Sequence, residues 1–162
     1  MNALHTLIAG LALGLCANLA SAAPQVEPLD RETARTLGNV QQHQAPTLIA
    51  LWSLSCPYCR KNLQIFQALQ TQQPGLRLIS IASEPLEEQH AEVLQQLGLS
   101  GTHYAYGDSA AEALAYALDP NWRGELPRTL LFDGKGGQQA LSGPVSAERA
   151  LAGLGISAPT AP

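Results

Sequence analysis

Two cysteines, Cys56 and Cys59, stand two residues apart in the stretch Leu51-Trp52-Ser53-Leu54-Ser55-Cys56-Pro57-Tyr58-Cys59-Arg60-Lys61. An apolar run, Thr47 to Trp52, leads into them, and apolar residues at helical spacing follow at once. This order predicts a strand, a short loop and a helix whose first turn carries both thiols. Residues three apart lie on one side of a helical turn, so the two sulfurs can meet and close a disulfide. Pro57 suits the first helical position, where a missing N–H costs nothing and φ is already set. The free amides and the positive end of the helix dipole face Cys56 and favour its thiolate, the nucleophilic form. Arg60 and Lys61 add positive charge nearby. The chemistry that fits is dithiol–disulfide exchange, with Cys56 attacking and a more buried Cys59 resolving.

Other uses of the pair have less to stand on. Zinc needs four protein ligands, or three and a water; there is no second C-x-x-C, and His43, His90 and His103 have no ligand spacing. Attachment of a c-type haem needs His where Arg60 stands. A structural bridge over so short a loop constrains the unfolded chain little. Two thiolates suit Cu(I), so a copper(I)-binding accessory protein for metal-site assembly remains an alternative. Neither a Met after the leader nor a His close behind the motif supports it.

The rest of the chain says where such chemistry would happen. Residues 1–22 resemble a secretory signal: Leu7 to Leu15 is an apolar core and Ala20-Ser21-Ala22 a small-residue cleavage site. An uncleaved membrane anchor is the alternative. Cleavage would remove Cys16 and leave Cys56 and Cys59 as the only thiols, which fits redox work in an oxidising compartment such as the periplasm. Charged residues make up 14% of the chain, the net charge is −4 and the nine basic residues are scattered, which argues against a nucleic-acid partner. The length fits one domain, and a monomer is expected.

Ala23 to Leu29 is expected to be a tether, and Asp30 to about Gln42 a helix capped by Asp30, so that 23–45 precedes the main domain at 46–154. A helix from Pro57 to about Gln73 ends at Pro74-Gly75. Leu76 to Ala82 is a buried strand. Pro85 opens a helix that runs to Leu97 and stops at Gly98, with Glu87, Glu88 and Glu92 as its solvated face. Thr102 to Tyr106 is a strand with His103 at its surface, and Ser109 to Leu118 a helix capped by Asp108 or Ser109. Thr129 to Asp133 and Gln138 to Ser142 form a hairpin, Ser146 to Leu154 the closing helix, and 155–162 a disordered tail. Alternating strands and helices predict an α/β fold: a mixed, mostly parallel central sheet with helices on both faces.

The motif, this order of elements and Glu125-Leu126-Pro127-Arg128-Thr129-Leu130-Leu131-Phe132-Asp133 together resemble the thioredoxin superfamily, most of all the exported TlpA/ResA-type thiol–disulfide oxidoreductases. The resemblance runs from about Pro46 to Leu154. It implies a thioredoxin-like fold and a cis Leu126–Pro127 bond beside the disulfide, where the Leu126 backbone can pair with an extended partner chain. It also implies substrate-binding roles for Trp52, Pro57, Tyr58, Leu126 and Pro127. Two positions depart from the pattern. The buried Asp of thioredoxins is matched by Ala50, and the Glu of ResA-type proteins by Asn62; both acids help move the proton of the buried thiol. Glu84 and Glu125 are the available substitutes, although each is expected first as an ordinary exposed carboxylate, since Glu is seldom buried. Pro57-Tyr58 matches the dipeptide of many glutaredoxins. Trp122-Arg123-Gly124 is an insert suited to partner choice, since binding residues favour loops.

The expected function is therefore that of a periplasmic enzyme that reduces disulfides of partner proteins, with a role in cytochrome c biogenesis implied by the resemblance. It needs no cofactor beyond the Cys56–Cys59 disulfide and is recharged by a membrane or soluble redox partner. Running in reverse, it would be a disulfide oxidase or isomerase, because potential and partner set the direction.

Overall fold

The computed structural model describes residues 23–157, so residues 1–22, where a signal is expected, and the last five residues lie outside the described part. The elements are β1 (Val26–Leu29), α1 (Arg31–Gly38), a 3-10 turn (Val40–Gln42), β2 (Thr47–Trp52), α2 (Pro57–Gln72), β3 (Arg77–Pro85), α3 (Glu88–Gln96), β4 (Thr102–Tyr106), α4 (Ala111–Leu118), β5 (Arg128–Phe132), β6 (Gln138–Ser142) and α5 (Ala147–Gly153). They build one six-stranded sheet in the order β1-β4-β3-β2-β5-β6. The first four strands of that order run parallel, while β5 and β6 are antiparallel. This is the expected mixed α/β sheet.

Strand β2 is buried along its whole length, and its side chains alternate between two cores as the pleat requires. Leu48, Ala50 and Trp52 join Leu63, Phe66 and Leu69 of α2, Val93 and Leu94 of α3, and Leu151 of α5 on one face. Ile49 and Leu51 join Ala34 of α1, Leu114 and Leu118 of α4, and Leu130 and Phe132 of β5 on the other. The site therefore grows from the best-buried strand, with a packed layer on each side to hold it.

Several local expectations change. Residues 26–29 are not part of a tether: they form β1, which pairs with β4 from Val26↔His103 to Leu29↔Tyr106, with Leu29 fully buried. The segment before residue 46 thus shares the sheet and core of the main domain. The helix capped by Asp30 ends at Gly38, where a Cβ would lie 2.5 Å from the Leu118 carbonyl oxygen; glycine there lets α1 cross α4 closely. Pro85 ends β3 instead of opening α3, pairing with Tyr106 after a bulge. Helix α4 starts at Ala111, without a side-chain cap from Asp108 or Ser109. His103 is buried, not a surface residue, and Ser80 Oγ lies 2.9 Å from its Nδ1. Burial holds that imidazole below its ordinary pKa. Residues 155 and 156 extend the packed structure: the Ile156 amide donates to the Leu151 carbonyl and its side chain packs on the core.

Candidate active site

The loop Ser53–Ser55 leaves the C-terminal end of β2 and turns at once, with the Cys56 amide donating to the Ser53 carbonyl at 3.2 Å. Cys56 is the N-cap of α2 and Pro57 opens the helix, as the sequence led us to expect. Cys56 is bonded to Cys59 with a Cα–Cα separation of 5.3 Å. The Cys59 amide points at Cys56 Sγ, 3.1 Å away, so the sulfur takes the place a capping oxygen holds elsewhere. Burial divides the pair. Cys56 is partly exposed, whereas Cys59 is 1% exposed and part of the core below α2. One sulfur is available to a partner, and the other is in line to displace it.

The substrate-binding residues expected from the resemblance do not share one environment. Tyr58 is 55% exposed, with Lys61 Nζ 5.5 Å from its ring centre, and Pro57 is exposed beside it. Trp52 is 1% exposed and stands edge-on to His90, so it supports the loop from the core rather than offering a surface. Leu126 is partly buried and packs against both cores, and Leu126–Pro127 is cis. Register brings the two halves together: Leu51 pairs with Arg128, so Pro127 comes next to the end of β2 from which the cysteine loop departs. Among the described residues, the Leu126 amide and carbonyl make no hydrogen bond.

The two departures from the family pattern have structural occupants. Ala50 is buried in β2 opposite Thr129. Asn62 is buried on α2; its Nδ2 donates to the Gly143 carbonyl at 3.2 Å and its Oδ1 accepts the Val145 amide at 3.1 Å. The Gly143 amide in turn donates to the Pro127 carbonyl at 2.8 Å. Asn62 thus ties the cysteine helix to the proline loop through one residue, Gly143.

Glu125 is exposed, as expected, but engaged with several partners, whereas Glu84 is partly buried. Glu125 accepts from Ser142 Oγ at 2.6 Å, from the Arg123 amide at 3.1 Å and from Arg128 at 3.3 Å. The Ser142 hydroxyl, foremost, holds its carboxyl below the usual range, with the backbone amide and Arg128 helping. Arg128 also grips the buried Asp119 through two nitrogens, at 2.5 and 3.1 Å. Trp122 is buried in this insert and donates its Nε1 to the Glu125 carbonyl at 2.7 Å. Glu84 reaches back under the cysteine loop, where it meets the Leu54 amide and His90.

Sequence reasoning gave no role to His90, Asp119 or Arg128. A signal for His90 was present: with Val93, Leu94 and Leu97 it falls at i, i+3, i+4 and i+7, on the inward stripe of α3. Among the described residues, no group of three His, Cys, Asp or Glu side chains converges as a protein metal site requires.

Comparison with known proteins agrees on architecture. No protein-family model matches the sequence, nor does any curated protein. Solved structures do. A thiol:disulfide interchange protein of the thioredoxin family from Chlorobium tepidum superposes with a TM-score of 0.53 at 17% identity, covering 84% of this chain and 97% of that one. A secreted Mycobacterium tuberculosis disulfide oxidoreductase, homologous to the DsbE of E. coli, gives 0.50 at 16% identity over 70% of this chain and 80% of the other. StoA from Bacillus subtilis gives 0.50 at 23% identity over 68% and 82%. With its sheet order, its disulfide at the start of α2 and its proline loop at the start of β5, this chain has the thioredoxin-like fold.

Proposed function

We propose that the protein is an exported thiol–disulfide oxidoreductase that reduces disulfides of partner proteins. The observation that carries this reading is the asymmetry of the pair: Cys56 partly exposed at a helix N-cap, its sulfur taking the Cys59 amide, and Cys59 buried beneath it. In the reduced form the same amide and the helix terminus favour the Cys56 thiolate. That thiolate attacks one sulfur of a partner disulfide. The partner's S–S bond breaks, a mixed disulfide forms, and the displaced partner thiolate takes up a proton. Cys59 then gives up its proton and attacks Cys56 Sγ, expelling the second partner thiolate. Two electrons pass to the partner, and Cys56–Cys59 is left oxidised until another dithiol recharges it.

Leu126 supports the partner-binding part, because its unpaired peptide beside the end of β2 fits an extended chain added as a strand. Export is supported by the leader-like sequence of residues 1–22 and by the secreted relative of like fold. The test is reduction of insulin disulfides by the purified protein with dithiothreitol as reductant. Turnover well above the reductant alone, lost in Cys56→Ser, is expected. A wild-type rate equal to the reductant alone would overturn the reading.

A further inference from the structure

The peptide of Leu54, two residues before Cys56, is held from both sides. Its amide donates to Glu84 Oε1 at 2.5 Å, and its carbonyl accepts from Arg60 at 3.4 Å. Glu84 comes from the far end of β3, thirty residues along the chain, and its side chain is only 27% exposed. The same carboxylate oxygen lies 3.2 Å from Nε2 of His90, whose side chain is 0% exposed. His90 Nδ1 lies 3.0 Å from the Glu87 amide nitrogen and 3.1 Å from the Glu87 carbonyl oxygen, which holds the ring, and the Glu84 carboxylate accepts from Nε2 on its other side. The imidazole also stands edge-on to Trp52, 5.5 Å between ring centres. A glutamate at a strand end would ordinarily turn to water. This one is turned inward by a buried donor and spends an oxygen on the loop that delivers the attacking cysteine.

We propose that Glu84, held in place by His90, is a positioning residue for the thiol chemistry of Cys56. Its carboxylate oxygen fixes the Leu54 peptide, so that Cys56 keeps the N-cap geometry in which Sγ faces the Cys59 amide. The proposal rests on the reading of Cys56 as the attacking thiol. It assigns Glu84 a hold on the loop rather than a proton to carry, so reach matters more than charge.

The test is the rate at which iodoacetamide alkylates Cys56 in the reduced full-length protein, with the modified cysteine located by peptide mass. Glu84→Ala removes the acceptor, and Glu84→Asp keeps the charge but is one methylene too short. Both are expected to react about tenfold more slowly, the scale of one lost charge-assisted hydrogen bond. Glu84→Gln keeps an acceptor oxygen at full reach and is expected within about threefold of wild type. Should Glu84→Ala fail to fold, the Asp and Gln variants alone decide. Wild-type rates in Glu84→Asp would overturn the proposal, as would a Gln variant slowed as far as the Asp one. Alkylation needs no partner disulfide. A protein that follows this pattern yet leaves insulin intact would defeat the proposed function separately.

Discussion

The two loops that flank the disulfide are held by different physics. The cysteine loop is short and is held at Leu54 by a partly buried carboxylate backed by a buried imidazole and by Arg60 on the carbonyl, with the core ring of Trp52 beneath. The proline loop is framed by a network at its rim, Asp119–Arg128–Glu125–Ser142, whose members bond to one another and leave the Leu126 peptide free. The first arrangement fixes an attacking atom, and the second keeps an edge open while holding its surroundings still. Asn62 joins them, since Gly143 bonds to it on one side and to Pro127 on the other. A redox site needs both: a sulfur in a set place, and backbone left unpaired beside it for the partner.

The largest effect expected from this contrast is on stability. Arg128→Ala leaves the carboxylate of buried Asp119 without its guanidinium, and breaking such a pair from one side costs about 3 kcal/mol or more. Urea unfolding should show this, while a loss below about 1 kcal/mol would mean the rim network is not structural. Asn62→Ala comes next. It leaves the Gly143 carbonyl and the Val145 amide without their partner, for about 2 kcal/mol by the same measurement. An unchanged midpoint would remove the strut between the loops.

The pH dependence of folding separates the sheet interior from both loops. Burial lowers the pKa of His43 and His103 below 6.5, so the unfolded chain binds more protons near that pH. Their contribution is fully present above pH 6.5 and is lost as pH falls below it toward the folded values. Stability should therefore fall between pH 7 and 5, and His103→Gln should lessen the slope. A slope unchanged in that variant would place the effect elsewhere. The smallest effect belongs to Glu125→Gln. Its carboxyl is nearly half exposed, so its ion pair with Arg128 is screened and the change in stability should stay within about 0.5 kcal/mol. A much larger loss would show that Glu125, and not Asp119, anchors Arg128.

What could be read from the sequence was what short-range pattern encodes. The run Thr47–Trp52, the Cys-Pro-Tyr-Cys start of α2 and the Asp133–Gly137 turn between β5 and β6 each carry their own local chemistry. Strand β1 was hidden because Val26-Glu27-Pro28-Leu29 is short and interrupted by Glu27 and Pro28, and it becomes a strand only through β4. Pro85 looked like a helix opener because proline favours both that position and a strand end. The partners of Glu84 and Arg128 were hidden for another reason. Both bonds depend on where loops return in space: thirty residues separate Leu54 from Glu84, and nine separate Asp119 from Arg128.

The account turns on the division of labour between the two cysteines. The direct measurement is covalent capture: Cys59→Ser and Cys56→Ser proteins are mixed with a disulfide-bonded substrate such as insulin, quenched with acid and separated without reductant. Cys59→Ser should accumulate a mixed disulfide through Cys56, because the exposed thiol attacks and nothing resolves the product. Cys56→Ser, whose remaining motif thiol is 1% exposed, should accumulate almost none through Cys59, the captured cysteine being located by peptide mass so that Cys16 is told apart. Equal capture by the two variants, or capture by Cys56→Ser alone, would contradict the assignment of attack to Cys56.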